Sequence, residues 1–554
     1  MHEFFKAYAQ QFDVLRRIDF ETEVLEITRL EETQGWNVRV QTPSGEETMQ
    51  TKKLIIATGV TNRPHKPPID GAEHFDGPII HSAELGKQSG TIVKDPQIST
   101  VTVLGGGKSA YDAVYLAAMA GKDVAWIVRK SGKGPSWVFP SHVQIGPIRA
   151  WREVCSFSPS MSLELISCQK LPLRRILSCF SPWFWEDGLS WLRNFLHAGF
   201  GKKITQAFWN DVHHTSLKQC LYAEEKPLNV LEPEQSPFWY GTHSGVYNFS
   251  PDLFDFIRKG KVRVYREDVS RLSSHSVHLA DGQILHADAL ITATGFTVKP
   301  TYDFSPSTLH SDLGIPTTGY TQAQRDFWSH LNHKAELTIV SKFPRLLLGP
   351  FKSPSSNVIQ PYNPGIDPEL QHTPFRLYRA IAPPGLTVQG DRSLVFIGMF
   401  SNISAFIRLE LQCLWACAYL NGQMPIDTNT VFEETALFSR YARYRSPYGH
   451  GRFFPDLVFD QVPYFDVLMQ DLGLPYWRKK NLLQELFSSY GPADYKGVIQ
   501  EWKRAQGTKR LSEKASNGGW PGNGWEHVDA NEKTRLLHEA DGKKGHRSTG
   551  SSGV

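Results

Sequence analysis

The run Gly105-Gly106-Gly107-Lys108-Ser109-Ala110 constrains this chain more than any other feature. It lies between an apolar stretch, Val101, Val103 and Leu104, and a stretch of small residues from Ala110 to Ala120 that closes on Gly121. The apolar stretch reads as a buried strand, the small-residue stretch as a helix, and Val124 to Val128 as a second strand. A G-x-G-x-x-A between a strand and a helix is the context of a dinucleotide-binding turn. Glycines let backbone N–H groups approach a pyrophosphate, and the helix N-terminus favours its negative charge. Ala110 permits close packing of the helix on the sheet.

The end of the second strand selects the nucleotide. An NAD site places Asp or Glu there for the ribose hydroxyls. This chain has Arg129 and Lys130. Two cations attract a 2′-phosphate that a carboxylate would repel, so the site is expected to prefer NADPH, held by Gly105, Gly107, Lys108, Ser109, Ala110, Arg129 and Lys130.

Two further strands end alike, in Ala57-Thr58-Gly59 and Ala293-Thr294-Gly295, and they bracket the nucleotide unit. Flavoproteins with two dinucleotide domains use such ends where one domain hands the chain to the other, and the glycine admits a nucleotide close to the backbone. Upstream, Phe4, Phe5, Tyr8 and Phe12 recur at helical spacing. Ile18, Phe20, Thr22 and Val24 alternate as a strand, and so do Trp36, Val38 and Val40 before the turn at Pro43-Ser44-Gly45. A third buried strand, Leu394 to Gly398, precedes an apolar helix from Ser404 to Leu420. Cys413 and Cys417 share a face of that helix and are expected in the core.

Phe75-Asp76-Gly77-Pro78-Ile79-Ile80-His81 supplies an F-x-G-x-x-x-H just before the nucleotide strand. With the two signals above, it makes the chain resemble the flavin-containing monooxygenases, the group that includes N-/S-oxygenating and Baeyer–Villiger enzymes. The motif departs from the family at Leu85, where an aromatic residue is usual. The likeness covers most of residues 5–425. It implies an α/β fold in which a Rossmann-like NADP domain is inserted in a FAD domain. FAD would lie along Val24, Ala57, Thr58, Gly59, Thr294 and Gly295, with His81 and Gln412 as positioning residues. The implied activity is transfer of one oxygen atom from O₂ to a small organic substrate through a C4a-(hydro)peroxyflavin, in the manner of enzymes that tailor natural products. No glycine motif and no ribose carboxylate precede Gly59, so the resemblance also implies a flavin domain truncated at its N-terminus. The rival reading is an NADP-binding remnant without stable FAD.

The expected domains are residues 1–98 (first part of the flavin domain), 99–269 (NADP domain, with a helical insertion at 151–240), 270–504 (second part and C-terminal helices) and 505–554, a disordered tail. The insertion holds six of the fifteen tryptophans. It reads as a self-packed lid, or as a substrate-access cap or membrane-surface patch. Lys plus Arg is 60 against 56 for Asp plus Glu, too even a balance for nucleic-acid binding. The six cysteines form no C-x-x-C, which removes a disulfide reductase and a zinc ribbon and fits a reducing compartment. No metal site is expected. No signal peptide or transmembrane run is evident, so the expected location is the cytoplasm, with peripheral membrane contact through the insertion.

Overall fold

The computed structural model describes residues 2–30, 35–140, 168–220, 225–297, 300, 302–348 and 373–516. Its central element is a sheet of five parallel strands, numbered in chain order. Across the sheet these are β10 (Val262–Tyr265), β7 (Asp123–Ile127), β6 (Thr100–Leu104), β14 (Ala289–Thr292) and β5 (Ile79–His81). Parallel strands covered on both faces need near-continuous apolar residues. Accordingly Val101, Val103 and Leu104 of β6 and all four residues of β14 are buried. The helix Lys108–Met119 joins β6 to β7 and turns Ala110, Tyr111, Ala113, Val114, Ala117 and Ala118 inward. β7 lies on one side of β6 and β14 on the other. The strand order therefore reverses at β6, which opens a crevice at the strands' carboxyl ends.

A second sheet joins β15 (Asp303–Ser305), β1 (Glu23–Leu30), β2 (Gly35–Thr42) and β3 (Gly45–Thr51). β1 starts later than the alternation from Ile18 predicts. Pairing with β2 begins at Glu23–Gln41, and before it Ile18 and Phe20 are exposed and unpaired in the ladder. The core of this half gathers Trp36, Phe304, Leu394 and Phe396, and the Trp36 indole donates to Ser393 Oγ at 3.0 Å. β4 (Leu54–Ile56) pairs in parallel with β16 (Leu394–Phe396).

The chain crosses between these halves twice, and the crossings run side by side. Pro64 bridges Phe296, His65 N–H donates to Gly295 O at 2.9 Å, and Thr297 N–H donates to Arg63 O at 2.9 Å. This double crossing is the α/β architecture expected of one dinucleotide domain inserted in another. β5 and β14, read from the sequence as parts of segments 1–98 and 270–504, complete the nucleotide sheet.

Smaller pairings complete the strands. β11 (Val269–Ser273), β12 (Ser276–Leu279) and β13 (Ile284–His286) form a meander, and β8 (Trp137–Pro140) pairs in parallel with β9 (Ser244–Tyr247). Residues 141–167, the start of the insertion among them, lie outside the described residues. From Cys168 the insertion is helical, with its longest helix at Gly201–Gln219. Trp183, Trp209 and Trp239 are buried. Arg175 bonds Asp466 with both terminal nitrogens, and its Nε donates to Glu485 at 2.6 Å. Arg193 forms a two-point pair with Asp187 at 3.0 and 2.6 Å.

Two expectations are corrected. Cys413 and Cys417 are exposed, because the helix Ala405–Leu420 turns Leu411, Gln412, Leu414 and Trp415 inward and leaves the cysteines on its outer face. The stretch from 505 is not uniformly without structure, since the helix Val498–Ser516 continues into it; residues 517–554 lie outside the described residues. Residues from Gln500 group as a separate compact unit. Among the described residues no helix is long and apolar enough to cross a membrane, and no three potential ligands are grouped to hold a metal ion.

Candidate functional site

The glycine turn sits at the carboxyl end of β6, at the crevice where the strand order reverses. Gly105 has φ of +151°, and a Cβ there would lie 2.4 Å from Ala293 O. A Cβ on Gly106 would lie 2.5 Å from Gly134 O, and one on Gly107 would meet only His243 Cε1 at 3.5 Å. The Trp126 indole donates to Gly105 O at 2.8 Å, and Ser136 N–H donates to Gly106 O at 2.7 Å. The carbonyls of 105 and 106 are thus tied back into the protein. The N–H groups of 106–109 find no acceptor among the described residues. They lie at the start of a twelve-residue helix, where free N–H groups can receive a pyrophosphate. Ala110 is buried and Ser109 exposed, and Lys108 is paired with Asp112 one turn on. The turn fits a dinucleotide.

The two cations beyond β7 differ. Lys130 Nζ lies 3.2 Å from Glu267. Arg129 is exposed and has no carboxylate partner among the described residues. Ser131 donates from both N–H and Oγ to Asp268, which anchors this corner below them.

Three residues here escaped the sequence reading. Gly106 occupies an unspecified position of the motif, yet it leaves less room than Gly107; the run of three glycines was the only signal. Gly134 supplies the carbonyl against Gly106. His243, from a distant part of the chain, lays its ring on Gly107. Burial, with Lys133 and then His450 nearby, pushes that imidazole down to about 3, and its Nε2 has no hydrogen-bond partner among the described residues. Nothing local in the sequence marks it.

The second strand-end site faces the other half. Ala57 and Thr58 are exposed beyond β4, and Gly59 has φ of +70° with open space where a Cβ would be. Val24 is exposed on β1. Thr294 Oγ1 donates to His65 O, and Gly295 accepts from His65 N–H, so this pair secures the crossing. His81 is fully buried at the end of β5, edge-on to Phe296 at 5.6 Å. Its Nδ1 accepts from Ala83 N–H at 3.2 Å, and burial lowers its pKa, so the ring is neutral. Gln412 is also fully buried. Its Oε1 accepts from Gly398 N–H at 3.1 Å, and its Nε2 donates to Tyr464 OH at 2.9 Å. Between Gly398 and the Gln412 helix, Asn402 holds both polar atoms of its side chain buried without hydrogen-bond partners among the described residues, beside exposed Ile403 and Phe406. Buried polar groups ordinarily find partners. An amide left open at an apolar surface fits a polar-edged ring such as a flavin.

Residues 1–145 match the family described as pyridine nucleotide-disulphide oxidoreductase. The FAD-dependent monooxygenase rstn6 of Aspergillus nomiae is 32% identical over 528 residues, covering 92% of this chain and 85% of that protein. The FAD-dependent monooxygenase resA of Aspergillus sclerotiorum is 32% identical over 527 residues, with the same coverage of both. A solved structure, S-allyl-L-cysteine S-oxygenase from Allium sativum, aligns with a TM-score of 0.42 at 14% identity, over 97% of this chain and 75% of that one. Identity of this depth across 92% of the chain extends well beyond the nucleotide turn to the insertion and the C-terminal helices, and on that ground the chain belongs to the family of FAD-dependent monooxygenases.

Proposed function

We propose that this monooxygenase draws its electrons from NADPH bound at Gly105–Ala110, with the 2′-phosphate on Arg129, and holds FAD against Val24, Ala57, Thr58, Gly59 and the Asn402 amide. Thr294 and Gly295 keep the two halves in register. The observation that carries this reading is the set of N–H groups at 106–109 without an acceptor, together with an exposed Arg129 that has no carboxylate partner, among the described residues. Bound FAD supplies the two-electron and O₂-activating chemistry; the chain supplies position, charge and dryness. In the overall reaction NADPH, a proton and O₂ are consumed, one oxygen atom joins a small organic substrate, and the other leaves as water. His81 and Gln412 are positioning residues. The neutral His81 ring fixes the end of β5 against the crossing, and Gln412 fixes the turn at Gly398. A role in tailoring natural products is consistent with the fungal origin of the FAD-dependent monooxygenases that the chain resembles.

The test is direct. Purified protein, reconstituted with FAD, oxidises NADPH with matching uptake of O₂. Colourless protein that binds NADPH but refuses added FAD would make it a nucleotide-binding remnant.

One surface favours peripheral membrane contact. Trp191, Phe195, Phe200 and Ile204 are exposed around the start of the Gly201–Gln219 helix, with exposed Lys202 and Lys203 among them. Aromatic side chains flanked by lysines suit an anionic lipid surface. Co-sedimentation with phosphatidylserine vesicles, lost on replacing Trp191 and Phe200 by Ala, would support it; no sedimentation of the intact protein would refute it.

A further inference from the structure

A cavity of about 400 Å³ opens beside the nucleotide turn. Protein interiors contain few voids larger than a water molecule, so a space of this size is a built feature. Its walls come from widely separated parts of the chain. Lys108 belongs to the glycine turn, Ile403 follows the unpartnered Asn402, Phe208, Trp209, Val212 and Ser216 come from the Gly201–Gln219 helix, and Phe459 comes from the C-terminal region. β9 closes it against the turn, and at Gly245 a Cβ would lie 2.9 Å from Lys108 Cδ. The cavity thus reaches from the nucleotide turn to the loop that leads into the Gln412 helix.

The lining defines what fits. It contains no carboxylate. Its one cation, Lys108, is compensated by Asp112 and sits 4.5 Å from the centre of the Phe249 ring. A charged ligand would lose its hydration there without gaining a counter-charge. Phe139, Phe208, Trp209 and Phe459 offer ring faces and edges. Ser216, from the Gly201–Gln219 helix, adds a hydroxyl to the lining, together with the polar side chains of Ser244 and Asn248.

We infer that this cavity is the substrate chamber, and that it takes an uncharged, largely hydrocarbon, ring-bearing molecule whose polar group meets the few polar side chains of the lining, Ser216, Ser244 and Asn248. This rests on the monooxygenase reading above and adds a substrate class to it. The helical insertion then acts as one wall of the chamber.

The probe is prodan, a neutral naphthyl ketone whose emission shifts to the blue in apolar surroundings. With the full chain, its binding should be saturable and blue-shifted. Val212→Trp fills the space and should weaken prodan binding about tenfold or more, and Val212→Leu about threefold, while NADPH affinity stays unchanged. Ser216→Ala should weaken it about threefold. The cation 1-naphthylmethylammonium should not displace prodan. If Val212→Trp does not fold, Val212→Leu decides the matter. Equal prodan affinity in the Val212 variants, displacement by the cation, or protein that binds NADPH but no prodan would each overturn the chamber. Protein that binds prodan at this site but not NADPH would support the chamber and overturn the cofactor reading instead.

Discussion

The nucleotide sheet and the helical insertion are held together in different ways. Around Gly105–Ala110 the forces are those of close packing: apolar strands, a small-residue helix and glycines whose absent side chains bring backbones together. The insertion is fastened by charge. Arg175, with no exposed surface, reaches Asp466 and Glu485 across about three hundred positions of sequence. Arg445 Nε donates to Ser181 Oγ at 2.8 Å and lies 3.7 Å from Asp460. Tyr441 OH donates to Pro182 O at 2.6 Å. A cap that swings open would have to expose these groups. The insertion is therefore a fixed wall of the molecule, and access to the cavity beside it requires no lifting of the whole unit.

The largest effect should come from breaking that charge network. Arg175→Ala leaves Asp466 and Glu485 buried without their cation, which costs about 3–5 kcal/mol. Urea unfolding should show that loss, and a change under about 1 kcal/mol would mean that the insertion is held mainly by its apolar contacts.

Next comes acid. His197 is buried in the insertion, its Nε2 donates to Cys179 O at 3.2 Å, and burial with Arg193 nearby pushes its pKa down to about 3. The unfolded chain binds a proton near pH 6.5 that the folded chain refuses until far lower. Stability from this group is therefore present above pH 6.5 and is lost as the pH falls toward 3. Between pH 6.5 and 4.5 the loss is about 2–3 kcal/mol. Melting temperatures of His197→Gln should fall less steeply over that range than those of the parent. Parallel slopes would locate the acid sensitivity elsewhere.

The glycine turn should show a smaller but sharper contrast. Gly106→Val drives a side chain into Gly134 O and should weaken NADPH binding about tenfold, whereas Gly107→Ala, with ordinary contact distance to His243, should change it by less than about twofold. Equal losses at both positions would mean that the turn is not braced from the 134 side.

This contrast also explains what could be read in the sequence. The β6 turn, the small-residue helix and the paired Ala-Thr-Gly strand ends are contiguous patterns, and all of them fall at the ends of strands where expected. Arg129 and Lys130 were equivalent in sequence, and only the distant Glu267 separates them. Gly134, His243 and Asn402 matter through what the fold brings near them. Cys413 and Cys417 misled because a free thiol is usually a small buried hydrophobe, whereas exposed Glu410, on the same face of the helix, marks that face as the outer one. The register at Glu23, likewise, is set by β2 rather than by the alternation from Ile18.

In the function proposed here, Arg129 at the end of β7 receives the 2′-phosphate of NADPH while Lys130 stays with Glu267. The measurement is calorimetric titration of the parent, Arg129→Ala and Lys130→Ala with NADPH and with NADH. The parent should prefer NADPH, Arg129→Ala should lose about tenfold or more in NADPH affinity with NADH little changed, and Lys130→Ala should lose about threefold or less. Equal losses for both nucleotides in Arg129→Ala, or no saturable binding of NADPH to the parent, would contradict the account.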